Sequence, residues 1–344
     1  MKKLLLIAFG FTSIVYAQDI HFSQVGMTQL QLNPANAGSE FGLRGIVNYR
    51  SQWKSVSDPF VSMMASYDMN FKKSTSKTGY FAGGLFVFND KAGSALMTQT
   101  QANLSVAYHV NLTDEQSLGL GVQGGYFQRT ANIDQLTWGA QYDGYSYDPT
   151  LTSGENTALG YAFGVADFAA GITYTYRNGD RYMTSNDQKL IIAGFSMQHI
   201  NQPKYAYQDL VDDPLKFRFV GHLNGMIGIT NSSFSLQPSA LYMRQGQLQE
   251  IMAGTNFIYK FKDASKYTGN LKGGSFGIGG HYRFGDAFVL STLLEIGNYT
   301  FGFSYDLNTS SLNGASNGKG AFEFSLRYVA PNPFGGAKSH ARFG

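Results

Sequence analysis

Along most of this chain, apolar and polar residues trade places at every step. In the stretch from Asn298 to Asn308, Tyr299, Phe301, Phe303, Tyr305 and Leu307 fall on one side of an extended backbone, and Thr300, Gly302, Ser304, Asp306 and Asn308 on the other. The same period of two sets Phe322, Phe324, Leu326 and Tyr328 against Glu323, Ser325 and Arg327. It also sets Leu104, Val106, Tyr108, Val110 and Leu112 against Ser105, Ala107, His109 and Asn111. Near the start, Leu43, Val47, Tyr49 and Trp53 alternate with Arg44, Asn48, Arg50 and Gln52. Successive side chains of a β-strand point to opposite faces, so this is a strand pattern. A soluble β-sandwich alternates too. Here, however, one face is aromatic-heavy in strand after strand while the other carries charge, which suits lipid outside and a wet or polar-filled lumen inside.

Fourteen such segments can be marked, at roughly 41–53, 57–71, 78–90, 95–112, 116–130, 160–177, 187–201, 216–230, 233–244, 247–262, 273–285, 287–297, 299–309 and 319–329. The pattern predicts an all-β fold: a transmembrane, antiparallel outer-membrane β-barrel of about 14 strands. An even number of strands leaves both ends of the sheet on the periplasmic side and puts the connections after odd strands outside. The two longest connections, roughly 131–159 and 202–215, follow the fifth and seventh strands and so fall outside. The periplasmic connections "KKSTSK" and "KDASKYTGNLKGG" are longer than ideal turns. No fixed-period repeat or low-complexity linker divides the chain.

The first residues have another character. Lys2 and Lys3 precede an almost wholly apolar run from Leu4 to Val15, and Val15-Tyr16-Ala17 supplies the small-residue site that signal peptidase reads. The run is short of the roughly 20 residues that span a bilayer as a helix. The predicted division is a signal peptide over 1–17, cleaved after Ala17, an N-terminal plug or docking segment over 18–40, a barrel over 41–329 and a tail over 330–344.

Composition supports this reading. There are 41 Gly, 22 Tyr and 27 Phe beside 8 Pro and 14% charged residues, a mixture that transmembrane barrels use because only alternate positions meet lipid. The mean hydropathy of -0.19 and the lack of an 18-residue apolar run speak against a helical membrane protein. The net charge of +3 gives no argument for a nucleic-acid partner. With no cysteine, lipoprotein attachment, disulfides and thiolate metal sites are excluded.

Motifs that usually carry chemistry sit in the wrong context. "GLGVQG", Gly119 to Gly124, matches the dinucleotide fingerprint, which needs a strand turning into a helix; here Leu118, Leu120, Val122 and Tyr126 carry one strand straight through. "GASNG", Gly314 to Gly318, matches a nucleophile motif but lies in a Gly/Ser/Asn-rich connection that reads as a turn. His21, His109, His199, His222, His281 and His340 are scattered singly, without metal-ligand spacing. Ser105 and His109 share one strand face, as a barrel phospholipase would require, but by the alternation that face is the lumen. No catalytic residue, cofactor or metal site is expected.

The outside connections hold the binding candidates. Residues 132–156 gather Trp138, Tyr142, Tyr145 and Tyr147 among Asp134, Asp143, Asp148 and Glu155, and residues 203–214 add Tyr205 and Tyr207 beside Asp209, Asp212 and Asp213. Tyr and Trp give large contact area at low entropic cost, which favours them in binding surfaces. An aromatic belt at the membrane rim is the plainer alternative.

The segment from Gln18 to Gly38 has neither helical nor strand period. Pro34 breaks any helix, while Ile20, Phe22, Val25, Met27, Leu30 and Leu32 supply packing groups, so it suits the inside of the lumen or its periplasmic mouth. The letters QDIHFSQ from Gln18, LNPANAG from Leu32 to Gly38, Arg44, and NYRSQW from Asn48 to Trp53 together resemble the N-terminal signature of the PorP/SprF family of type IX secretion membrane proteins from Bacteroidota. The tail after the last strand is the weakest match. The resemblance implies an outer-membrane barrel beside the type IX translocon that is not itself the protein-conducting pore. Such a barrel binds and anchors, or helps export, a surface adhesin with a type B C-terminal domain, and links to periplasmic secretion and gliding machinery. Phe22, Asn33, Pro34, Arg44, Arg50 and Trp53 are the plug or docking candidates. The alternative is an outer-membrane channel for small hydrophobic solutes with residues 18–38 as its hatch.

Overall fold

A computed structural model describes residues 21–54, 58–71, 78–93, 97–130, 137–154, 163–178, 188–204, 214–262, 273–310 and 316–330. Fourteen strands carry the fold: β1 (Leu43–Gln52), β2 (Phe60–Phe71), β3 (Gly79–Ala92), β4 (Met97–Asn111), β5 (Gln116–Thr130), β6 (Phe163–Asn178), β7 (Lys189–Gln198), β8 (Arg218–Gly228), β9 (Phe234–Gln245), β10 (Leu248–Lys262), β11 (Gly274–Arg283), β12 (Ala287–Ile296), β13 (Tyr299–Asn308) and β14 (Lys319–Ala330). Each pairs antiparallel with its sequence neighbours, and β1 pairs with β14, so the sheet closes on itself. At this seam the register runs unbroken from Leu43 opposite Ala330 to Gln52 opposite Ala321. Closure leaves no edge, which is what a sheet needs where no water can satisfy its backbone. The end at which β1 begins is called the base below, and the opposite end the top.

Every predicted strand overlaps one observed strand, in order. The largest trim is at β7, which stops at Gln198 and not at 201. His199 has a left-handed φ of 59°, and the Asn201 side chain takes over the ladder, accepting from Phe168 N–H at 3.2 Å and donating to the Ala166 carbonyl at 2.7 Å.

The two faces divide as the alternation predicts. On β13, Tyr299, Phe301, Phe303 and Leu307 point outward and are exposed, while Thr300, Ser304, Asp306 and Asn308 are buried inside. On β4, Leu104, Val106, Tyr108 and Val110 face out, and Asn103, Ser105, Ala107 and His109 face in. The interior is less uniformly polar than the sequence pattern suggests. Phe86 and Phe88 on β3, Val220 on β8, Leu241 and Met243 on β9 and Val289 on β12 all point inward and are buried. They do so because another part of the chain fills the barrel.

That part is the N-terminal segment. Its described portion, residues 21–42, folds into short helical turns at Val25–Met27, Gln29–Leu32 and Pro34–Asn36. Phe22, Leu30 and Ala37 pack on Met64, Ala82, Phe86, Phe88 and Ala107. Val25 and Leu32 pack on Val220, Leu241, Met243, Met252 and Val289. Each large aliphatic or aromatic side chain buried this way contributes roughly 1.5–3 kcal/mol. The segment does not simply cap the base: Ser23 lies among Arg50, Arg283 and Asp306, which sit at or within two residues of the top ends of β1, β11 and β13.

Candidate functional site

Asn33 is the pivot of the internal segment. Its φ of −157° is extended, and its side-chain oxygen accepts from Ala35 N–H at 2.9 Å, so it starts the turn whose first position is Pro34. Proline suits that position, having a preset φ and no N–H to satisfy. The Asn33 amide nitrogen reaches the barrel wall, donating to the Ile172 carbonyl at 2.9 Å and lying 3.1 Å from Thr173 Oγ1. Asn33 Nδ2 and Asn36 Nδ2 lie 3.3 and 3.1 Å from His222 Nε2. With two amide donors aimed at Nε2, the imidazole accepts there and keeps its hydrogen on Nδ1. Ser196 Oγ and Gln198 Nε2 donate to the Leu32 carbonyl, and His109 Nε2 meets the Ala37 carbonyl at 2.8 Å.

Glycines in the wall make this approach possible. A Cβ on Gly121 would stand 2.4 Å from Ala35 N, one on Gly171 2.1 Å from Asn33 Oδ1, and one on Gly194 2.7 Å from Asn33 Nδ2. Gly119 and Gly121, which imitate a dinucleotide fingerprint, are thus the part of β5 against which Pro34 and Ala35 lie. The Ser105–His109 pair likewise faces inward: Ser105 accepts from Gln123, and His109 holds the segment. In the other false motif, Ser316 to Gly318 turn directly into β14; the rest of it lies outside the described residues.

Two buried ionic clusters anchor the segment at its ends. Near the base, Arg44 on β1 grips Asp68 on β2 and also reaches Glu40 at 3.2 Å and Gln29 Oε1 at 2.9 Å. Asp68 in turn accepts from Gly38 N–H at 2.8 Å. Near the top, Arg50 is paired with Glu323 and, at 3.0 Å, with Asp306; Arg283 contacts Asp306 at 3.2 Å and Glu250 at 3.2 Å. Ser23 Oγ donates to Asp306 at 2.9 Å, and the backbone N–H groups of Ser23 and Gln24 both donate to Glu323. Charges taken out of water are tolerated only when paired and hydrogen-bonded. Here the wall and the segment complete each other's partners.

Of the plug or docking candidates, Phe22, Asn33 and Pro34 lie in the internal segment, and Arg44 and Arg50 stand on β1 in the ionic clusters at its two ends. Trp53 stands apart, at the top end of β1 with its ring 4.8 Å from that of Phe60. The sequence reading missed Ser23, Asn36, Asp68, His222, Arg283, Asp306 and Glu323. For Asp68, His222, Arg283, Asp306 and Glu323 the signal was present as polar and charged groups on inward strand faces; Ser23 and Asn36 lie in the segment that has no strand period.

The aromatic connection is built differently. Gln141 Nε2 donates to the Leu151 carbonyl at 3.1 Å, Asp148 N–H returns to the Gln141 carbonyl at 2.8 Å, and Tyr142 bridges Tyr147. At the tip, Asp143 Oδ1 accepts from Tyr145 and Ser146 N–H at 2.7 Å each. Those two donors hold the Asp143 carboxyl below its usual range, Ser146 contributing most. The hairpin presents Tyr145, 95% exposed, with Tyr142 and Tyr147 also exposed and Trp138 half-buried at its root. Tyr205 and Tyr207 lie outside the described residues. Among the described residues no group of three potential metal ligands occurs.

Comparison with known proteins gives a family match over most of the chain. The family model for the type IX secretion system membrane protein PorP/SprF matches residues 14–328. No curated protein matches. Solved structures that match include a FadL homologue from Pseudomonas aeruginosa, 10% identical over 86% of this chain and 92% of that one, with a TM-score of 0.46. BamA from Haemophilus ducreyi lacking POTRA domains 1–3 is 11% identical over 85% of this chain and 71% of that one, with a TM-score of 0.43. At these values the likeness carries nothing about what this chain binds or conducts.

Proposed function

The chain belongs to the PorP/SprF family of type IX secretion system membrane proteins, and on that premise we propose that it is an adhesin-holding component of the secretion system, closed by its own N-terminal segment. The barrel fixes position in the outer membrane. The top faces outward and grips the type B C-terminal domain of a surface adhesin through Trp138, Tyr142, Tyr145 and Tyr147, with Tyr205 and Tyr207 from the neighbouring connection. Residues 18–40 serve as the plug, and the base meets periplasmic components of the machinery.

The observation that supports this reading best is the hairpin from Gln141 to Asp148. It is held by its own hydrogen bonds, and it spends them on presenting a tyrosine that is 95% exposed. An aromatic belt would keep such rings against lipid headgroups at strand ends. Rigid, exposed tyrosines instead fit a protein partner.

The test uses full-length protein in detergent and the purified adhesin C-terminal domain. Replacing 137–154 by a short Gly/Ser linker is expected to weaken capture at least about tenfold, as loss of a hot-spot cluster does, without loss of the folded barrel. Failure of the intact protein to retain the domain, or equal retention after the replacement, overturns the gripping role.

A further inference from the structure

Three groups of inward apolar side chains line the barrel, and the N-terminal segment covers two of them. The third includes no residue of it. Leu190 and Ile192 on β7 form a buried cluster with Met226 of β8 packed against it. Ile258 on β10 and Leu293 on β12 continue the same wall around a cavity of about 80 Å³. All five point into a lumen where barrels of this kind are ordinarily polar. Such a cavity exceeds several-fold the space one water needs.

Other parts of the lining carry donors. Arg327 donates to Thr300 Oγ1 at 3.1 Å and lies over the Phe41 ring, but among the described residues its Nε has no acceptor and no carboxylate pairs with it. Among the described residues, Gln24 Nε2, on a side chain 8% exposed, and Asn224 Nδ2 are buried without a partner. The carboxylates on this lining are engaged, Glu40 by Arg44 and Gln29, and Glu295 by Ser275. Buried donors without acceptors are costly unless something fills their place.

The ladder is also interrupted in the wall of this cavity. Pairing of β8 with β9 is interrupted between Asn224 opposite Ser239 and Ile227 opposite Leu236. Pro238, having no N–H, cannot complete the ladder there, and its ring closes the interval against Gly225. Gly225, Met226 and Gln237, which lie within the interruption, all line the cavity.

We propose that this cavity binds one single-chain amphiphile with an anionic head, drawn from the surrounding membrane past Pro238. The chain lies against Leu190, Ile192, Met226, Ile258 and Leu293. The head accepts hydrogen bonds from Arg327, with Gln24, held by Ser325 two residues along β14, beside it. This site is independent of the adhesin-gripping reading, since it lies inside the lumen and uses none of the loop residues.

The test places full-length protein in phosphatidylcholine nanodiscs and titrates it with dansyl-undecanoate. Saturable fluorescence enhancement is expected, displaced by both oleate and oleyl alcohol. Arg327→Gln should weaken the carboxylates about tenfold, the worth of one charge-assisted hydrogen bond, and leave the alcohol unchanged. Leu293→Trp, which fills the apolar side, should abolish all three. Partition without saturation means a lumen holding water only and overturns the proposal. So does equal binding in both variants, provided each keeps the gel mobility of the folded barrel. Saturable binding that emerges only after removal of residues 331–344 would make the chain's own tail the occupant and likewise overturn it.

Discussion

Arg44 and Asp68 face each other across the first two strands and make a two-point ion pair, Nε to Oδ1 at 2.8 Å and Nη2 to Oδ2 at 3.1 Å, with both side chains 1% exposed. Removing one partner strands the other charge in the interior. Arg44→Ala or Asp68→Ala should each cost about 3–5 kcal/mol. Replacing both with apolar residues of similar volume should cost less than either single change. Urea unfolding of the liposome-inserted barrel measures all three. Equal losses for the single and the paired replacements would deny the coupling.

Asn33 has no substitute for its contacts on both sides. Asn33→Ala leaves Ala35 N–H without its acceptor and should cost about 1–3 kcal/mol of the segment's seating. The chain has no cysteine, so Ala35→Cys gives a clean reporter at a position that is 0% exposed. Its reaction with a maleimide should be slow in the parent and at least about fivefold faster with Asn33→Ala, a factor set by that same range.

Gly121 and Gly45 make a matched pair of tests. A methyl on Gly121 meets Ala35 backbone, which cannot swing aside, whereas a methyl on Gly45 meets nothing within 4 Å. Gly121→Ala should destabilise by about 1–3 kcal/mol as overpacking does and speed labelling at position 35. Gly45→Ala should do neither. Parallel thermal unfolding of the two variants separates close approach from the general effect of glycine in a strand.

The hairpin tip carries its own pH dependence. The Asp143 carboxyl is held down by Ser146 and Tyr145 N–H, and that of Asp148 by the Thr150 hydroxyl and N–H. A lowered carboxyl pKa means that the turn's stabilisation is present above the unfolded value near 3.9 and is lost as pH falls through the lowered value. In a Trp53→Phe background, Trp138 becomes the only tryptophan. Its emission should hold steady from neutral pH to about 4 and change below that, and Asp143→Asn should shift the neutral spectrum toward the acid one.

The wall was legible in the sequence because alternation is local: Tyr299 to Asn308 declares both its faces without reference to any other strand. The destination of the N-terminal segment was not. Asn33 meets Thr173, Phe195 and His222, more than a hundred residues away, and nothing in the spacing of either stretch announces the meeting. Gly121 and Gly171 did carry a trace of it, since a glycine inside a strand marks close approach. Which backbone or side chain comes close is a property of the closed sheet. The inward Leu190 and Ile192 were hidden for another reason: a strand apolar on both faces reads as one buried run and does not say which face meets lipid.

Arg50 and Glu323 are register partners across the seam that joins the first strand to the last, and the same two side chains bind Ser23. The final zipping of the sheet and the seating of the chain's beginning therefore share their bonds. Ser23 alone meets side chains from β1, β11, β13 and β14, so the seated segment ties the closing strand to three others. A barrel closed without Ser23 keeps the Arg50–Asp306, Arg50–Glu323 and Arg283–Asp306 pairs but loses the hydroxyl and N–H that tie all four side chains to one centre.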